Sequence, residues 1–337
     1  MRKNSASELT TAGWDGIRWG LCCQFLDAPI RFRTATHRYV GTLGATAARA
    51  YLVAIARDNA DALAGAVRQC NALGIGAFRI NSQILPLATH PQSGYTLSEL
   101  DEDGTITAAF RAAGTLAHEL GVRLSFHPDQ FVVLNSERPQ VVASSVAEMR
   151  VQGDLANLVG ADVLTLHAGG AAGGTAEALV RFERGIEQLS AVARQRLALE
   201  NDDRRYSPQL LLPFCERLDI PMVYDIHHHR CNPDDLDVAT ATMHAAKSWR
   251  DREPLFHISS PRAGWGEDDP RPHADYVLAG DFPEAWRGRA ITVDVEAKAK
   301  ERAVLALRDA VARGSVSAGK GPLALFDAAP AAGGDAR

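Results

Sequence analysis

Eight short runs rich in β-branched residues recur along this chain, and nearly every gap between them carries a helical or Ala-rich pattern. The strand candidates are IRWGLCC (17–23), GAFRIN (76–81), VRLSF (122–126), DVLTLH (162–167), RLALE (196–200), PMVYDI (221–226), PLFHIS (254–259) and AITVDVE (290–296). Helical patterns fill 47–73, 106–120, 139–159, 174–193, 207–217, 236–250 and 299–313, with Gly74, Gly121 and Gly160 as C-terminal stops. Connections of this length suit crossovers between parallel strands. The expected fold is a single-domain α/β chain closed as a (β/α)8 TIM barrel. An open doubly wound sheet is the alternative. No GxGxxG follows the first strand and no P-loop occurs, so neither that version nor a nucleotide cofactor is supported.

With 337 residues, the chain has room for one barrel over 16–315, an N-terminal extension 1–15 and a tail 316–337; both ends are expected to be disordered. No apolar run reaches membrane-spanning length and no signal-type h-region follows Met1, so cytoplasmic residence without a membrane partner is expected. The five cysteines, Cys22, Cys23, Cys70, Cys215 and Cys231, form no CxxC pair and read as small buried residues. Adjacent Cys22 and Cys23 would point to opposite faces of a strand. A net charge of −5 does not favour a general nucleic-acid binder, although bound cations would supply positive charge where a phosphate must sit.

Metal-binding side chains fall repeatedly at the C-terminal ends of the strand candidates, where barrel enzymes build their sites. His127 follows RLSF, His167 ends DVLTL, Glu200 ends RLAL, and Asp225 and His228 end PMVY. His257 lies in the seventh run, His273 in the loop after it, and Glu296 at the end of the eighth. One buried histidine at a strand end is usually a hydrogen-bonded core residue. The same coincidence on six strands is not, because converging buried carboxylates repel one another unless cations pair with them. Imidazoles and carboxylates without thiolate suit Zn²⁺ or Mn²⁺, with Glu200 or Asp225 as natural bridges between two ions. Asp225 and His228, three apart, would face oppositely on a strand, so His228 is expected in the loop. His227 and His229 flank it, and at most one of the three is expected to bind metal. His90, in LPLATHP, is a further candidate ligand, whereas His37, His118 and His244 read as surface residues.

The stretch SSPRAGWGEDDPRPHAD (259–275) is too polar and Pro/Gly-rich for an element, and long loops on this face usually serve function. Its Trp265 could stack on a base or pack the loop. Arg204, Arg205, Arg230, Arg262, Arg271, Lys298 and Lys300 follow strand candidates and could contact phosphates. Lys298 is the best placed if the eighth strand continues, since it would share a face with Glu296.

The segments AFRINSQILPLATHP, RLSFHPDQFVVLNS, LHAGGA, LALENDD, VYDIHHHRCNP, FHISSP, RPHADY and VEAKAKE, in order from about Ile17 to Leu307, closely resemble the UV damage endonuclease family. That resemblance implies a TIM-barrel repair nuclease, similar to endonuclease IV, that cuts the phosphodiester 5′ to a UV photoproduct or related lesion in double-stranded DNA by metal-activated water. It implies metal-ligand roles for His127, His167, Glu200, Asp225, His228, His257, His273 and Glu296, with His90 beside them, and two or three divalent ions. Mn²⁺ is expected, with Zn²⁺, Co²⁺ or Mg²⁺ as alternatives. Glu200, Glu296 and Lys298 are the expected catalytic residues. Gln130 and Phe131 match the pair that wedges into the duplex, and Arg230 and Trp265 are expected to join them on the DNA. A monomer is expected.

Three features depart from the resemblance. Family members often carry, two residues before the seventh-strand histidine, a lysine modified into a metal-binding carboxylate; here that position is Leu255, so two ions are expected and a third is not assumed. Leu21 stands after Gly20 where an aromatic is common, which alters the lesion-probing surface. The third is the Trp265 loop. The competing reading is a sugar isomerase or epimerase of the xylose-isomerase-like barrel type, to which Leu255 and Leu21 give room.

Overall fold

The computed structural model describes residues 16–314, and the expectations for 1–15 and 316–337 lie outside the described residues. Its strands are β1 (Ile17–Cys22), β2 (Ala77–Ile80), β3 (Arg123–Phe126), β4 (Val163–His167), β5 (Leu197–Glu200), β6 (Met222–Asp225), β7 (Leu255–Ile258) and β8 (Ile291–Val295). All neighbours pair in parallel and β1 closes onto β8, giving the barrel expected from the sequence. Each strand falls within its candidate run. The runs are legible because strands buried on both faces read as near-continuous apolar sequence.

The helices are α1 (His37–Val40), α2 (Ala45–Ala72), α3 (Leu97–Leu100), α4 (Thr105–Glu119), α5 (Pro139–Val159), α6 (Thr175–Glu187), α7 (Ala191–Arg196), α8 (Pro208–Leu218), α9 (Ile226–Cys231), α10 (Val238–Ser248) and α11 (Glu301–Ala312). The helix predicted over 174–193 is two helices. Ser190 interrupts it, its hydroxyl accepting from Ala193 N–H at 3.2 Å as the N-cap of α7. Gly160 ends α5 at φ 73°, a left-handed conformation that a side chain would strain. The sequence pattern does not announce α9, and that helix matters for the site.

Alternation along the strands sorts the barrel interior into levels. The middle level is apolar, with Val163, Ala198, Val223 and Leu255 packed over Trp249. Leu255 is thus part of the barrel's floor. Leu21, one residue out of phase with the interior set, is fully buried in the main core. The lesion-probing role weighed for position 21 is closed to it, because the side chain packs in that core and has no exposed surface.

Candidate metal centre

Above the apolar floor the strand ends deliver their polar residues to one point. Glu200, the last residue of β5, is 1% exposed and lies at the centre. Its Oε2 lies 2.7 Å from His127 Nε2 and 3.5 Å from His167 Nε2, and its Oε1 lies 3.0 Å from His257 Nδ1 and 3.3 Å from His228 Nδ1. The ends of β3, β4 and β7, together with α9, therefore aim imidazoles at a single carboxylate. Glu296 adds a second one, with Oε1 3.4 Å from His257 Nδ1 and Oε2 3.6 Å from His273 Nδ1.

Asp225 and His228 meet in a way that strand geometry forbids. The chain turns into α9 directly after Asp225, which caps that helix by accepting His228 N–H at 2.8 Å on Oδ1. Helical spacing of three then puts both side chains on one side, 3.5 Å apart through Asp225 Oδ2. The loop expected for His228 is thus a short helix. Its flanking histidines go elsewhere: His229 bridges Tyr224 and Asp234, at 2.7 and 3.0 Å, and the His227 ring sits against Trp265 and His273.

Charge is strongly shared in this space. Burial alone would raise the Glu200 carboxyl, but the imidazoles of His167, His257 and His127 hold it well below the usual range. Burial would lower His257, yet Glu200 and Glu296 push it up to about 9. His228 is likewise carried well above its ordinary value, burial being outweighed by Asp225 and Glu200. The buried atoms Asp225 Oδ2, His167 Nδ1 and His257 Nε2 have no hydrogen-bond partner.

These observations test whether divalent ions fit. Two triads, His127/Glu200/His257 and Glu200/Asp225/His228, each present three ligand atoms within 4.8 Å of one another. Glu200 is common to both, as a bridging carboxylate would be. Imidazole and carboxylate donors with an unsatisfied carboxylate oxygen suit a hard-to-borderline divalent cation. The residues fit.

Other expected site residues lie apart from this point. His90 stacks on His37 at a 4.3 Å centroid distance, and its Nδ1 lies 3.2 Å from the N–H groups of both Gln92 and Ser93; neither triad includes it. β8 stops at Val295 and a turn follows, so Lys298 does not share a strand face with Glu296; it is exposed. Arg230, expected on DNA, donates to the Asp281 carbonyl and carboxylate at 3.1 and 3.2 Å and covers the Trp265 ring at 5.5 Å. Trp265 in turn donates its indole N–H to Asp281 at 2.8 Å. Asp281 thus ties Arg230 Nη1 and the Trp265 N–H to the loop, while Trp265 keeps 36% of its surface exposed. Gln130 and Phe131 do stand free at the tip of a turn closed by Val132 N–H on Asp129 O at 2.9 Å, and Phe131 is 77% exposed.

Three contributors escape sequence reasoning. Arg79 in β2 pairs with Glu296, Asn201 exchanges hydrogen bonds of 2.8 and 2.9 Å with the Asp225 backbone, and Asp294 lies fully buried in β8. A charged residue at an inward position of an otherwise apolar strand is the signal that could have found Arg79 and Asp294.

A closed (β/α)8 barrel with a histidine–carboxylate cluster at its C-terminal mouth defines the class: a TIM-barrel protein with a candidate metal centre. The profile of the UV-endonuclease UvdE family matches residues 17–319, and the chain belongs to that family. It is 36% identical over 245 residues to a UV DNA damage endonuclease of Bacillus velezensis, covering 69% of this chain and 74% of that protein. To the UV DNA damage endonuclease of Deinococcus radiodurans it is 34% identical over 303 residues, 86% of this chain and 94% of the other. The solved structure of SacUVDE superposes with a TM-score of 0.78 at 25% identity, covering 88% of this chain and 98% of that one. Endonuclease IV of Thermus thermophilus (TM-score 0.57, 16% identity, 88% of this chain and 99% of that one) shares the fold. So does D-psicose 3-epimerase of Clostridium cellulolyticum (0.51, 12%, 89% and 98%). At those last two identities the likeness shows the fold alone.

Proposed function

We propose that this protein is a metal-dependent DNA repair endonuclease that hydrolyses the phosphodiester 5′ to UV photoproducts or related lesions. The observation that carries the reading is Glu200, 1% exposed yet facing four imidazoles, in a chain of the UV-endonuclease family. His127, Glu200, His257, Asp225 and His228 would hold two divalent ions, with His167, Glu296 and His273 completing the set. Bound there, Mn²⁺ or a similar cation supplies water activation and neutralises phosphate oxygens.

The protein's own residues do the rest. Glu200 belongs to both triads, so its placement at the end of β5 governs both. Arg79 grips Glu296 and orients its oxygens toward His257 and His273. On the loop after β3, Phe131 offers an exposed ring to replace lost stacking, and Gln130 an amide for an orphaned base. Exposed Arg204, Arg205 and Lys298 are placed after strand ends to meet backbone phosphates.

The test is a nicking assay. Purified protein with Mn²⁺ should convert UV-irradiated supercoiled plasmid to the open circle and leave unirradiated plasmid intact. Absence of nicking with Mn²⁺, Co²⁺, Zn²⁺ and Mg²⁺ alike would sink the reading.

A further inference from the structure

Asp294 belongs to neither triad, yet it lies inside the barrel at 0% exposure and neither of its carboxylate oxygens has a hydrogen-bond partner. A carboxylate in that position is costly unless a nearby group answers it. Strand register sets its neighbours: Asp294 pairs with His257 across β7–β8 and with Gly20 across β1–β8. On the Gly20 side, the missing Cβ makes the room, since a Cβ there would overlap Asp294 Oδ1. On the His257 side, Oδ2 stands 3.8 Å from Nε2, and that nitrogen is itself buried without a partner. Two orphans face each other. Closing the gap to an ordinary N–H···O bond of about 2.9 Å takes a ring shift of under about 1 Å.

The other nitrogen of the same ring, Nδ1, points to Glu200 and Glu296 at 3.0 and 3.4 Å. His257 therefore spans from the cluster to a carboxylate behind it. Arg79, the cation that could compete for Asp294, is paired through Nη1 with Glu296, while its Nε is buried without a partner and is the rival donor. The floor around Leu255 is formed by Val163, Ala198, Val223 and Trp249, and the Trp249 N–H is already given to Met222 O.

We propose that Asp294 is the positioning residue of His257: its carboxylate accepts the Nε2 proton, fixes ring and tautomer, and so presents Nδ1 to a cation shared with Glu200. This rests on the metal reading above. Partners of this kind typically change metal affinity about 10–100-fold.

The experiment is calorimetric titration of Mn²⁺ into metal-stripped full-length protein, with thermal melting of the metal-free forms alongside. Asp294→Asn should weaken Mn²⁺ binding about 10–100-fold while the metal-free Tm stays equal or rises. In a His257→Ala background the same change should add less than about threefold, because its route to the metal is gone. Asp294→Ser supplies the same comparison if the amide variant does not fold. Unchanged affinity in Asp294→Asn would remove the positioning role and leave the metal reading standing. A full effect persisting without His257 would point to Arg79 and overturn the assignment. Loss of affinity accompanied by a lower metal-free Tm would mark a structural role instead. A wild type that takes up no Mn²⁺ would remove both readings together.

Discussion

At the N-terminal end of the barrel Arg18 meets Glu253 at 2.8 Å, Thr292 donates to Glu253 at 2.6 Å, and Arg123 links Thr292 at 2.9 Å to Asp162 at 2.9 Å. Trp249 plugs this end under the guanidinium groups of Arg123 and Arg252, its N–H donating to Met222 O at 2.8 Å. At the C-terminal end Glu200 faces four imidazoles, while Asp225 Oδ2, His257 Nε2 and both Asp294 oxygens have no partner. The first network is closed, each charge answered by protein. The second is open: the Asp294–His257 contact can close part of it, while Asp225 Oδ2 is left without a partner. Buried polar groups left unpaired are destabilising, so their concentration at one end marks the end that serves function.

Four substitutions probe this contrast. Glu200→Gln should reduce nicking of irradiated plasmid by at least about 10²-fold, the scale of losing one essential electrostatic contact, and lower the metal-free Tm, since the imidazoles lose the carboxylate they hold ionised. Glu253→Ala should lower stability by about 2–3 kcal/mol in urea denaturation as Arg18 and Thr292 lose their partner, with Mn²⁺ affinity unchanged. Phe131→Ala should weaken binding to lesion-containing duplex about tenfold in fluorescence anisotropy without moving the Tm, since the ring is solvent-exposed. Trp265→Phe should cost about 1–2 kcal/mol, seen as faster amide exchange across 260–281, because the N–H to Asp281 is lost together with part of the ring that packs on His227 and Arg230.

Much of the open end is legible in the sequence. Parallel strands carry their functional residues at fixed ends, so reading the last residues of each apolar run finds Glu200, Asp225, His167 and His257 directly. What stays hidden depends on partners far away in the chain. That Asp281, 51 and 16 residues off, holds both Arg230 and Trp265 is one such link. Lys298 requires β8 to continue, and that strand ends at Val295. His228 requires knowing that the helix begins at once after Asp225, which a run of three histidines does not announce. Asp294 is easily overlooked, because one acidic residue within ITVDV looks like an outward-facing strand position until the register sets it beside Gly20.

The loop after β7 carries one last consequence. Its base is pinched where Pro261 and His273 form an antiparallel bridge, with Arg262 N–H on Pro272 O at 2.7 Å and Ala274 N–H on Ser260 O at 2.8 Å. His273 is thus delivered by the neck, and the exposed tip at 266–269 is mechanically separate from it. The tip is a port: residues can be spliced in there, as a fluorophore tag or a grafted DNA-contacting segment, while the histidine below keeps its place.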